Sequence, residues 1–330
     1  MTPSASNRRP SAIDALGEAV SHMREKLFPF SFVGWITLGF VSLLESCGSG
    51  GGTSGMQNRV GSPGSIEDPT RAVESIFAWI AEHMILFVTV LMVVMLLSLL
   101  FMWLRSRTIF VYIDDVASGR FDLVRPWNQH GAHADSFFIL SLVVQGASFI
   151  LIVLILGLGG FFALWAKAHD WPLATILLGA LPIVFLFVLA LVVAGVVNMV
   201  LRDFVAPLQI SRNVGAREAG GVFLSMLAAS PGLLIGYALL KFLVGIVVGI
   251  VVLIGSCLTC CIGALPLINQ TLFQPIYYAE RAWSLKLLAQ MGEDVFSAVM
   301  PPSGSPASRF HEDAPTEPID LSQIDPDPAP

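Results

Sequence analysis

The chain has 330 residues, 55% hydrophobic and 13% charged, with a net charge of −6 and a mean hydropathy of +0.75. Soluble domains carry about 25% charged residues, so this composition excludes an ordinary soluble fold. No basic face is present to hold nucleic acid, and much of the negative charge lies after Ser308, where Glu312, Asp313, Glu317, Asp320, Asp325 and Asp327 are offset only by Arg309.

Residues 1–27 are too polar to contain the apolar region of a cleavable signal peptide. From Ser11 an amphipathic helix is expected. Ser11 with Asp14 makes a partial capping box, and Ile13, Leu16, Val20, Met23 and Leu27 fall on one stripe. Such a helix lies in the membrane interface. A first span is expected over residues 28–44, followed by CGSGGGTSG, a flexible linker over 47–55.

The run over 84–104, MILFVTVLMVVMLLSLLFMWL, holds nothing more polar than Thr89 and Ser98. As a helix it is roughly 30 Å long, the thickness of a bilayer's hydrocarbon core, and it is the second expected span. Helix should continue to about Ser118, with Gly119 as the residue after the cap. An elbow follows, up to Asp135 or Ser136, which is expected to cap a third span over 137–156. A tight turn over 167–171 leads to a fourth span over 172–200, with Pro182 inside it. Residues 202–219 read as a polar loop, and 221–230 as a short apolar helix stopped by Ser230-Pro231-Gly232. The fifth span is expected over 233–255 and the sixth over 258–278, with Pro266 and Pro275 inside it. Residues 281–291 are amphipathic again, and the Pro/Ser/Asp-rich remainder reads as disordered.

The expected fold class is therefore all-α, a polytopic transmembrane bundle of six spans with amphipathic interfacial helices at both ends. Its parts are a cytoplasmic N-terminus over 1–27, a membrane domain over 28–291 and an acidic tail over 292–330. Every Lys and Arg except Arg59, Arg71, Lys167 and Lys241 then falls in segments on the N-terminal side. The positive-inside rule places that side, and both termini, in the cytoplasm.

Three stretches carry a resemblance. They are the N-terminal helix running into LFPFSFVGWITLGF, the elbow with RTIFVYIDDVASGRFDLVRPW, and the closing CLTCCIGALPLINQTLFQPIYYAERAWSLKLLAQMGED. The chain resembles an uncharacterised multi-pass bacterial membrane protein family, grouped with the membrane domain found beside some glycerophosphodiester phosphodiesterases. The resemblance implies a helical fold in the bacterial inner membrane, and no reaction.

Three constellations could carry chemistry. Cys47, Cys257, Cys260 and Cys261 all fall on the expected outer side, where disulfides persist. Read instead as small apolar residues, they need no bond. The elbow holds Asp114, Asp115, His130, His133 and Asp135, residue types that could bind a divalent metal over a lipid phosphate. Their spacing matches no metal motif, and the alternative is a solvated helix face and loop. Lys241 lies nine residues into the fifth span, near its expected midpoint, where a lysine costs ~2.5–3.5 kcal/mol. Gln270, Gln274, Tyr277 and Arg281 form a polar stripe on span six, and Gln145 of span three and Asn198 of span four could join it. This group is either a polar pathway or hydrogen-bonding glue. No acidic residue lies inside an expected span, which favours glue, and methionine at 241 is then expected to be tolerated. Gly245 and Gly249 favour close packing, within the chain or in a homo-oligomer.

The expected function is a non-enzymatic structural, assembly or lipid-organising component whose partners are membrane lipids or another membrane protein, with no cofactor. The alternative is a small-solute or lipid transporter using the face around Lys241. A metal-dependent lipid-modifying enzyme built on the elbow is third.

Overall fold

The computed structural model describes residues 10–28, 31–47, 78–79, 81–258 and 265–300, and among these there are no strands. In chain order the helices are α1 (Ala12–Leu27), α2 (Phe32–Cys47), α3 (Met84–Ser118), α4 (Val124–Gln129), α5 (Gly131–Ala168) and α6 (Leu173–Val200). A π-helical turn (Leu201–Val205) joins α6 to α7 (Ala206–Arg212). Then come α8 (Ala216–Ala229), α9 (Pro231–Leu258), α10 (Pro266–Leu272), α11 (Gln274–Gln290) and α12 (Val295–Val299).

Four of these are long and apolar enough to cross a membrane: Met84–Ser118, Gly131–Ala168, Leu173–Arg212 and Pro231–Gly255. Their burial is lopsided. In α3 the residues up to Phe101 are exposed, whereas every residue from Thr108 to Ser118 is buried. In α6 only Ala190 is buried before Leu201, and beyond Tyr237 no described residue of α9 is buried. The apolar helices thus extend, for roughly 30–40 Å each, from a packed core at one end. That core is built from α1, the buried half of α3, the start of α5, the π turn, α7, α8 and α11. An exposed helix without a polar stripe belongs in lipid rather than water.

Local signals explain several boundaries. Ser11 Oγ accepts from the Asp14 N–H at the start of α1. Gly119 ends α3 at φ 68°, a left-handed conformation that glycine adopts without strain. The Lys167–Trp171 turn makes α5 and α6 an antiparallel hairpin, with the Trp165 and Trp171 rings 4.9 Å apart. Asp294 caps α12 by accepting from the Phe296 N–H at 3.0 Å.

Other boundaries differ from expectation. The third apolar helix begins at Gly131, so Asp135 and Ser136 lie inside it rather than capping it. Ser136 Oγ instead accepts from the Ala216 N–H at 2.8 Å and caps α8. The expected polar loop after residue 202 is helical as far as Arg212. The wide π turn accommodates Pro207, which lacks the N–H that a regular turn would use.

The expected first and sixth spans are not single long helices. At 16 residues α2 is about 24 Å long. Its first turn, at Gly34, meets the Phe121 ring just beyond the end of α3, and its last turn, at Glu45, meets Arg202 and Arg281. It therefore runs beside the buried half of α3. The chain expected as span six breaks at Phe273, because Pro266 and Pro275 each sit in the first turn of a new helix. The lack of a side chain at Gly39 lets α2 approach Thr271 of α10 closely. The two expected interfacial helices pack on each other. Ala15, Ala19 and Leu27 of α1 are buried, the Trp283 indole of α11 donates to the Ala12 carbonyl at 2.8 Å, and Ile13 of the expected apolar stripe is exposed.

Candidate functional site

Where the exposed apolar helices enter the core, charged side chains from four segments meet. Glu45 ends α2, Arg202 and Asp203 lie in the π turn after α6, Lys241 comes one turn after buried Tyr237 on α9, and Glu280 and Arg281 lie on α11. Lys241 Nζ contacts Asp203 Oδ2 and lies 3.1 Å from Glu280 Oε1. The Tyr237 hydroxyl also donates to Asp203, at 3.1 Å. Arg202 pairs with Glu45 and lies 3.7 Å from Glu280. Arg281 spreads its fork over Glu45 and the Arg202 carbonyl, the latter at 2.8 Å, with Asp203 at 3.9 Å. Asp203 and Arg281 are 1% and 0% exposed, so neither charge is solvated by water and each depends on the others.

Lys241 thus stands at the foot of the exposed run of α9 rather than within it. The first turns of α9 belong to the core, as the burial of Leu234 and Tyr237 shows, so counting from Leu233 places the lysine too deep. The residues grouped with it by sequence go elsewhere. Gln270 accepts from Ser42 at 2.7 Å and donates to Ser46, tying α10 to α2. Gln274 donates to the Tyr112 hydroxyl at 3.1 Å, and Tyr277 to Asn269. The Nε2 of Gln145, on α5, has no partner among the described residues.

The elbow groups disperse. His130 pairs with Asp114 at 3.1 Å, Asp115 accepts from the Asp122 N–H at 3.2 Å, and Asp135 pairs with Arg107 at 2.9 Å. His133 packs beside the Phe110 ring. Among the described residues no three His, Cys, Asp or Glu side chains converge to hold a metal ion. Cys257 is a free, exposed thiol at the far end of α9; Cys260, Cys261 and the Cys47 side chain lie outside the described residues.

Sequence reasoning missed Glu45, Asp203 and Glu280 as partners of the lysine. Asp203 stands beside Arg202, read from the sequence only as orienting charge, and Glu280 stands beside Arg281, read as part of the polar stripe. Acid and base together at several helix ends is the signal that could have found the layer.

A second polar contact fastens α1. His22 Nε2 donates to the Val116 carbonyl at 2.8 Å, and the ring stacks on Tyr278 and meets Phe296 edge-on. Burial lowers the His22 pKa from 6.5, as do Lys286 and Lys26, while the Val116 contact and Glu25 act the other way. The folded chain therefore resists protonating this histidine. Its contribution to docking is complete above pH 6.5 and is lost as pH falls from there through the lowered value. Limited proteolysis of α1 should accelerate between about pH 7 and 5 in the wild type and show a weaker pH dependence in His22→Gln.

The apolar helices and the ion-paired layer at their foot define a membrane-embedded helical protein. The chain belongs to a family of unknown function (DUF7544), which matches it over residues 10–291 and so covers the entire layer. No curated protein and no solved structure matches it. Nothing in these comparisons links the chain to glycerophosphodiester phosphodiesterases.

Proposed function

We propose that the protein is a non-enzymatic, lipid-organising component of the membrane, built to hold apolar helices apart in the bilayer on a rigid charged base. The observation that carries this reading is the Lys241 contact set: the ammonium is engaged by Asp203, Glu280 and Tyr237 together, and the exposed run of α9 beyond it carries no charged residue. A solute path needs a polar group that can exchange partners, and a lysine already engaged on three sides is poorly placed for that. In this reading the chain passes through the bilayer six times. The first passage would use residues 28–44 and the sixth residues 258–278. Both termini lie on the cytoplasmic face of a bacterial inner membrane, which agrees with the distribution of Lys and Arg.

Proteoliposomes test both parts. Spin-labelled lipid should show a motionally restricted population that scales with protein, the vesicles should stay tight to ions, and a cysteine at position 168 should react on the face opposite to one at 215. Ion leakage that disappears in Lys241→Met would overturn the reading in favour of transport. Labelling of both positions from one face would overturn the topology.

A further inference from the structure

Between α1, α9 and α11 lies a cavity of about 290 Å³, at the lower edge of the range for ligand-binding cavities. Leu16 and Met23 line it from α1, Val248 from α9 and Ile276 from α11, and Lys241 and Glu280 close its one polar end. Gly245 also lines it, and a side chain built on that glycine would meet nothing within 4 Å. A cavity with such walls does not hold ordered water, because water needs two or more polar partners. One wall is α9, whose residues beyond Tyr237 are unburied, so the cavity adjoins the surface that the apolar helices present to lipid. The polar end supplies a fixed stop: Glu280, with 27% of its side chain exposed, and the Lys241 ammonium that it holds.

We propose that this cavity binds one acyl chain of a membrane phospholipid, with the headgroup at the Glu280–Lys241 pair. The apolar wall accepts the chain and excludes the headgroup. The paired charges match a headgroup that carries both signs, as phosphatidylethanolamine does. The site rests on the lipid-organising reading and makes it specific: beyond the lipid that surrounds any membrane helix, one molecule is held at a defined place.

The test uses the full chain, purified in mild detergent, with phosphatidylethanolamine as the probe and native mass spectrometry as the readout. One lipid per chain should survive delipidation in the wild type, and retention should fall at least tenfold in Gly245→Phe. Replacing a helical glycine favours the helix, so this variant should fold normally. The control is Gly249→Phe, one turn further along α9, where a side chain also meets open space but does not line the cavity; it should retain the lipid. Benzoylphenylalanine at position 248 should cross-link to phospholipid. Absence of retained lipid in the wild type, or equal retention in Gly245→Phe, would overturn the site, as would a cross-link to a second copy or to residues 301–330. The restricted lipid population in proteoliposomes reports the broader reading separately, since it does not depend on this cavity.

Discussion

Replacing Lys241 by methionine is expected to lower the melting temperature of the purified protein by on the order of 10 °C. The variant keeps the length of the side chain and removes the charge that the Asp203 carboxylate, 1% exposed, relies on. Leaving one partner of a buried pair without the other costs about 3–5 kcal/mol. Arg281 lies 3.9 Å from Asp203 and is already committed to Glu45 and the Arg202 carbonyl, so it cannot fully compensate. Differential scanning fluorimetry in detergent measures the shift. An unchanged melting temperature would return Lys241 to the tolerated position that the sequence alone suggested.

Arg281→Met should be at least as damaging, with a loss of about 3–5 kcal/mol and a lower yield of folded protein. The guanidinium is completely buried and holds α2, through Glu45, and the π turn, through the Arg202 carbonyl. Arg281→Lys should rescue little, because one ammonium cannot reproduce a planar fork that serves two acceptors. Adding Glu45→Gln to Arg281→Met should recover part of the loss, since the carboxylate that was stranded is then neutral. Failure of the second substitution to help would show that Arg281 acts through packing around Tyr112 and not through Glu45.

The apolar helices were legible because their signal is local. The run over 84–104 needs no knowledge of the rest of the chain, and Gly119 and the 167–171 turn announce themselves in a few residues. The charged layer was not legible, because its partners are far apart in sequence. Glu45 and Arg281 are separated by 236 positions, and Lys241 and Asp203 by 38. The burial boundary was equally hidden. Apolar residues in the second half of α3, such as Ile109 and Val111, pack in the core, while apolar residues in its first half, such as Ile85 and Leu96, are exposed. Hydropathy assigns both halves the same character, and only the tertiary arrangement separates lipid-facing from core-facing surface. The short α2 shows the same limit: its composition fits a span, but the buried Ser42 and Glu45 find their partners in the core.

The double-mutant cycle between Lys241 and Asp203 tests most directly whether these charges form one closed unit. It compares the unfolding free energies of the wild type, Lys241→Met, Asp203→Asn and the double variant, with asparagine retaining an acceptor for the Tyr237 hydroxyl. A closed pair predicts that the double variant is more stable than the sum of the single losses allows, with a coupling of about 1–3 kcal/mol. Losses that add within about 0.5 kcal/mol would contradict the ion-locked base and leave Lys241 free to serve a solute.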